Sequence, residues 1–283
     1  MGRRSIAVAV VAAALAMLLP AQAPAADAGA TLLLSRPSGL GALPSASTSS
    51  NSSNARTVSG DGRFVVFASQ SDGLSQADDD EIQNVFLRDT VAGTTTLISR
   101  ATGGAAANNN SQTPTISADG SRVAFASRAT NLDPADTNSN LDVFLHIVSS
   151  SSTELVSRRG AAAGGAVGNA DSGPLPLNDT GPSLSANGHQ IAFQSNATNL
   201  DDDDTNGQTD VFLRQLDGSG APFTILMSRR SGITGAQDNE PSNTPSVNAA
   251  GTKVAFRSEG ELHADDTNAF TDVYLRDISP GPP

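Results

Sequence analysis

Four times along the chain, a short apolar run is followed by a polar loop and then by a second apolar run. The first runs read VVFAS from Val65, VAFAS from Val123, IAFQS from Ile191 and VAFRS from Val254. The second read NVFLRD from Asn84, DVFLHI from Asp142, DVFLRQ from Asp210 and DVYLRD from Asp272. Runs this short, bounded by turn residues and rich in Val, Ile and Phe, predict strands. The first runs are apolar or small at successive positions, so both faces need cover. Each follows a turn: Asp61-Gly62, Asp119-Gly120, Asn187-Gly188 or Ala250-Gly251. Three of these pairs suit a tight hairpin, because Asp or Asn and then Gly tolerate positive φ. A fourth strand follows in three units, as TLISR from Thr96, ELVSR from Glu154 and ILMSR from Ile225. Four antiparallel strands covered on both faces make a propeller blade.

The units lie near 57–100, 114–158, 182–229 and 245–279. Length varies in the Gly-, Ala- and Asn-rich connections. Seven of the ten Phe fall at two repeat positions, and Tyr274 completes that set. Rings confined to two positions are expected as wedges between neighbouring blades. The fourth unit lacks an SR-ending strand, whereas Thr31–Arg36 (TLLLSR) matches one. The expected architecture is therefore all-β: a β-propeller of four blades of four antiparallel strands, its ring closed by the N-terminal strand. An open or partial ring that associates with another copy is the alternative.

The pattern ISADG-x-x-VAF-x-S, then NL-x-x-x-DTN-x-x-x-DVFL-R-D, resembles the TolB-like, WD40-like propeller repeat of exported bacterial proteins. The resemblance spans 31–279 and is strongest in Ile116–Arg158 and Leu184–Arg229. It implies a propeller outside the cytoplasm that acts by binding. TolB carries an additional N-terminal α/β domain with no counterpart in these repeats, so a role in its envelope complex is not carried over.

Residues 1–28 read as a secretory signal peptide: Arg3 and Arg4, an apolar run from Ile6 to Leu19, then small residues. The propeller then occupies 29–283, and the expected location is exported, periplasmic or extracellular. The chain has no cysteine, so its stability rests on packing and any bound ion. The precursor has 17 basic and 29 acidic residues; without Arg3, Arg4 and Asp27 the mature chain carries 15 and 28, a net charge of −13. This charge disfavours nucleic acid or anionic lipid as partner. No membrane span is expected after signal cleavage, and the protein is expected to be a monomer.

The loop between the apolar runs repeats a chemistry. It holds Asp136, Asn138 and Asp142 in the second unit and Asp204, Asn206 and Asp210 in the third. The fourth has Asp266, Asn268 and Asp272, and the first Asp78, Asp80 and Asn84. Three oxygen-bearing side chains per loop, with a backbone carbonyl and waters, could hold Ca²⁺ weakly. The loop at Asp204 is favoured, with Gly207 easing a turn and Asp201–Asp203 adding charge. The loop at Asp78 is the weakest, since Asn84 replaces Asp. The competing reading is structural: Asp and Asn shape turns with their own backbone, and Asp142, Asp210 and Asp272 anchor a strand. Arg88, Arg214 and Arg276 are expected to pair with neighbouring acids.

No nucleophile elbow, phosphate loop or zinc-binding helix motif appears. His146, His189 and His263 occupy unrelated repeat positions. The function expected is thus a non-catalytic propeller that binds a protein or glycan through its loops. The alternative is a polysaccharide-acting hydrolase or lyase with carboxylates at the propeller channel.

Overall fold

The computed structural model describes residues 31–39, 50–51, 56–77, 82–160, 165–175, 180–216, 222–231, 235–237 and 239–278. The expected signal peptide, Asp78 and Asp80 lie outside the described residues. Each repeat becomes its own antiparallel sheet. The first contains β1 (Ser50–Asn51), β2 (Phe64–Ser69), β3 (Asn84–Asp89) and β4 (Thr94–Leu97), in that order. The second contains β5 (Ser111–Ile116), β6 (Arg122–Ser127), β7 (Asp142–Ile147) and β8 (Ser152–Leu155). The third contains β9 (Ser183–Leu184), β10 (Gln190–Ser195), β11 (Asp210–Gln215) and β12 (Phe223–Leu226). The fourth has three strands, β13 (Ser242–Val247), β14 (Lys253–Ser258) and β15 (Asp272–Asp277). The result is an all-β, propeller-type stack of sheets. No helix among the described residues is long and apolar enough to cross a membrane.

The hairpin before each central strand departs from the expected two-residue turn. Only its glycine takes positive φ, near +75° at Gly62, Gly120 and Gly188 and +71° at Gly251. Asp61, Asp119 and Asn187 accept from a serine hydroxyl two residues back, at 2.6 Å each. Each also accepts from the backbone N–H two residues on. The same serines, Ser59, Ser117 and Ser185, accept the N–H that opens the next strand. The side chain thus closes the turn, and glycine supplies its left-handed corner. In the fourth unit Asn248 takes the serine's place and accepts from Thr252 and Lys253.

The turn glycines give a graded prediction. A Cβ on Gly62 would meet nothing within 4 Å, whereas on Gly120 it would lie 2.3 Å from the Phe64 ring of the preceding sheet. Gly62→Ala should cost about 1–2 kcal/mol, the strain of a left-handed non-glycine residue. Gly120→Ala should cost more, because the ring must also move. Urea unfolding of the two variants checks the order.

The aromatic positions are the expected wedges. Register places Phe67 opposite Phe86, Phe125 opposite Phe144, Phe193 opposite Phe212 and Phe256 opposite Tyr274. Their rings stack 5.6–6.0 Å apart. Phe125 and Phe144 pack against Val66, Val85 and Leu87 of the first sheet. Phe193 and Phe212 pack against Val143 and Leu145 of the second, and Phe256 and Tyr274 against Val211 and Leu213 of the third. Each sheet therefore presents rings backward and Val and Leu forward.

A second tie crosses every boundary. The Arg100 carbonyl accepts the Thr153 hydroxyl of the next sheet. The Arg158 carbonyl accepts Thr224 and Arg214, and the Arg229 carbonyl accepts Arg276. Arg214 and Arg276 thus clamp main-chain carbonyls of the preceding unit, and Arg88 clamps that of Pro37 in the N-terminal segment. His146 holds the same position in the second sheet and meets Thr153 at 2.9 Å. Burial in this seam pushes its pKa down to about 4, so the ring is neutral at pH 7.

The expected pairing of Thr31–Arg36 with the last sheet is not formed. Residues 31–34 make no strand. The Arg36 carbonyl accepts Thr95 and Arg88 of the first sheet instead. It occupies there the place that Arg100, Arg158 and Arg229 occupy on later sheets.

Candidate functional site

The loop before β7 shows why alternate Asp and Asn recur. Asn138 N–H donates to Asp136, and Asn140 N–H to Asn138, at 3.1 and 2.6 Å. These Asx contacts wind the loop and bring Asp136 close enough for its charge to oppose that of Asp142. Asp142 opens β7 and is fully buried. Its Oδ1 accepts the Ser157 hydroxyl at 2.6 Å, and that hydroxyl accepts Val143 N–H. Its Oδ2 is buried and makes no well-formed hydrogen bond, the Asn138 side-chain amide being the donor beside it. Burial pushes the Asp142 carboxyl up to about 7, and the Asp136 charge adds to it against the hydrogen bond from Ser157. Burial also raises Asp136.

The third unit repeats the geometry with one addition. Asp210 accepts Ser228 at 2.6 Å, and Ser228 receives Val211 N–H. The Gln237 amide donates to Asp204 at 3.2 Å and to Asp210 at 2.8 Å, while its oxygen accepts Thr205 N–H. A neutral amide therefore bridges the two carboxylates. Burial still pushes Asp210 up to about 7, and Asp204 Oδ2 is buried without a partner. At the position equivalent to Gln237 the second unit has Val167, so no side chain from that connection reaches Asp136 and Asp142; Asn138 lies between them instead.

The other two loops differ. Asp266, Asn268 and Asp272 repeat the turn, with Asn268 N–H on Asp266 and Phe270 N–H on Asn268. They lie nearer the surface, and Tyr274 donates to Asp266. In the first unit Asn84 is buried and accepts Ser99 at 2.5 Å. Among the described residues no group of three or more His, Asp or Glu side chains forms a metal cage. A cation in these loops would take two carboxylates, one Asn and non-carboxylate oxygens, a set suited to weak Ca²⁺ binding.

The sequence reading missed the serine of each Ser-Arg pair, which joins the acidic residue to the strand beside it. Its signal was the invariable spacing of that serine after Leu97, Leu155 and Leu226. Asp133 and Asp201, the latter read from sequence as added charge, serve as strand anchors: they accept Leu155 and Leu226 N–H at 2.8 and 2.9 Å.

No family model and no curated protein matches the chain. Solved structures similar to it include TolB from Acinetobacter baumannii, at 15% identity and TM-score 0.41, covering 80% of this chain and 41% of that one. A putative TolB from Agrobacterium tumefaciens is 16% identical with TM-score 0.45, over 87% of this chain and 66% of that one. Oligogalacturonate lyase from Vibrio parahaemolyticus is 10% identical with TM-score 0.38, over 80% and 52%. The chain spans less than two thirds of the length of each of these proteins.

Proposed function

We infer that the protein is an exported, non-catalytic propeller that binds a protein or glycan through its loops, with Ca²⁺ stiffening the loops before the third strands. The observation that carries the calcium part is the buried carboxylate of Asp142, whose Oδ2 lacks a well-formed hydrogen bond, beside a second buried carboxylate at Asp136. Two buried carboxylates in one loop destabilise each other when ionised; a bound divalent cation removes that cost. Asp136, Asn138 and Asp142 would hold it. The loop would then be fixed for recognition without moving when a partner docks.

Thermal unfolding in EDTA, then in 10 mM Ca²⁺ or Mg²⁺, tests the reading. At ten times the dissociation constant, a ligand of the folded state adds about 1.4 kcal/mol, or roughly 3–6 °C for a domain of this size. The rise should appear with Ca²⁺, not with Mg²⁺, and vanish in Asp142→Asn. A chain that melts at one temperature in all three buffers has Asx turns and no ion site. Turnover in a polysaccharide screen would overturn the non-catalytic part.

A further inference from the structure

The forward face of every sheet but the last is covered. Val143, Leu145, Val211 and Leu213 are all 1% exposed or less, whereas their equivalents on β15, Val273 and Leu275, are 76% and 66% exposed. Phe270 beside them is 79% exposed. Alongside this face, β15 is also the outer edge of a three-stranded sheet. Unpaired apolar edges of this kind recruit another strand.

We propose that two copies of the chain join head to tail, with Thr31–Ser35 of one copy forming the fourth strand of the other copy's last sheet. The register follows from the three complete sheets. There, Leu97, Leu155 and Leu226 pair with the ring residues Phe86, Phe144 and Phe212; Leu33 aligns with these leucines and falls opposite Tyr274. Thr95, Thr153 and Thr224 pair with Arg88, His146 and Arg214; Thr31 aligns with these threonines and falls opposite Arg276. Arg276 already holds the Arg229 carbonyl, the group that a threonine hydroxyl shares on the first and third sheets. Ser35 aligns with Ser99, Ser157 and Ser228 and brings its hydroxyl to Asp272. The last acidic loop is thus completed by a residue from the second copy.

The donor segment is placed for the exchange. Arg36 is seated on the first sheet where a preceding unit's arginine would sit, so its chain arrives from a preceding sheet's position. Leu32 and Leu33 leave that seat 53% and 54% exposed. The first sheet's backward face, Phe67, Phe86, Leu74 and Leu97, is already buried within one chain, so the contact rests on the added strand and on the exposed face of β15. A depression of about 420 Å³ lies beside the first sheet's face, lined by Leu74, Leu97 and Pro37 among others. Among the described residues the last sheet has no fourth strand and residues 31–34 join no sheet, which points to a second copy in place of the monomer expected from sequence. Such a head-to-tail contact is heterologous and must close to stay finite. Two copies give eight sheets, within the usual size of propeller rings; three give twelve, beyond it.

The chain has no cysteine, which makes the test direct. Light scattering of the full chain should give twice the chain mass, and Leu275→Asp, at an exposed position, should halve it without altering the far-ultraviolet spectrum. Full chains carrying Leu32→Cys and Leu275→Cys, mixed and oxidised, should form a disulfide-linked heterodimer. Monomer mass with an intrachain disulfide in the double variant overturns the proposal and assigns the strand to its own chain. Monomer mass without either cross-link overturns the pairing itself, as does a dimer that survives Leu275→Asp.

Discussion

Phe144→Ala is expected to lower the unfolding free energy by about 3–5 kcal/mol, the cost of emptying a fully buried aromatic site. Phe144 is 0% exposed and stacks on Phe125 with centroids 6.0 Å apart. Its ring lies in the cluster where the second sheet meets Val66, Val85 and Leu87 of the first. Truncation therefore opens a cavity at a boundary between sheets, where relaxation needs two sheets to move together. Phe64→Ala should cost less, since that ring is only partly buried at the edge of the same cluster. Guanidinium unfolding of both variants gives the comparison; equal losses would mean that the ring positions are not the wedges described.

The second large effect depends on pH. In metal-free protein the Asp142 carboxyl titrates near 7 because it is buried, against about 3.9 in an unfolded chain. Between those values the folded state binds the extra proton, so stability falls as pH rises from about 4 to about 7. A displacement that large corresponds to a loss of about 4 kcal/mol at most. Asp142→Asn removes this loss and keeps an oxygen for Ser157. Stability of Asp142→Asn relative to the parent should therefore climb across that window and level off above it. His146, held neutral in its seam, acts in the opposite direction, losing stability as pH falls from about 6.5 toward 4. It is common to both proteins and cancels in the difference. A difference that stays flat from pH 4 to 8 would show that Asp142 does not titrate there. Added Ca²⁺ should flatten the parent's profile, because ionised Asp142 then has a partner.

The sheets and their ring pairs were legible because both are written in short-range spacing. Phe67 and Phe86 are set by strand alternation on either side of one loop, and four repetitions leave little room for another reading. The partners of Arg88, Arg214 and Arg276 were not legible. Their acceptors are backbone carbonyls, which every residue has and no residue type announces. Gln237 escaped for a different reason: it returns from a connection 27 residues beyond Asp210, and only the folded chain brings it back. In the turns, Asp-Gly and Asn-Gly drew attention to the corner, yet the serine two residues before the Asp or Asn organises it. The TLLLSR segment was recognised as a strand of this type, but its sequence says which residues it resembles, not which edge it reaches.

The arginine clamps also give the stack a direction. Each carbonyl belongs to the upstream unit, and each guanidinium or hydroxyl that needs it belongs to the downstream one. If a downstream sheet loosens, its neighbour loses only a contact on a carbonyl that water can replace. If an upstream sheet loosens, the next one is left with a desolvated cation, such as Arg214, that has lost an acceptor. Damage therefore travels more readily from N-terminal to C-terminal sheets than back, and the first sheet, through Arg36 on Arg88 and Thr95, sets the security of all that follow.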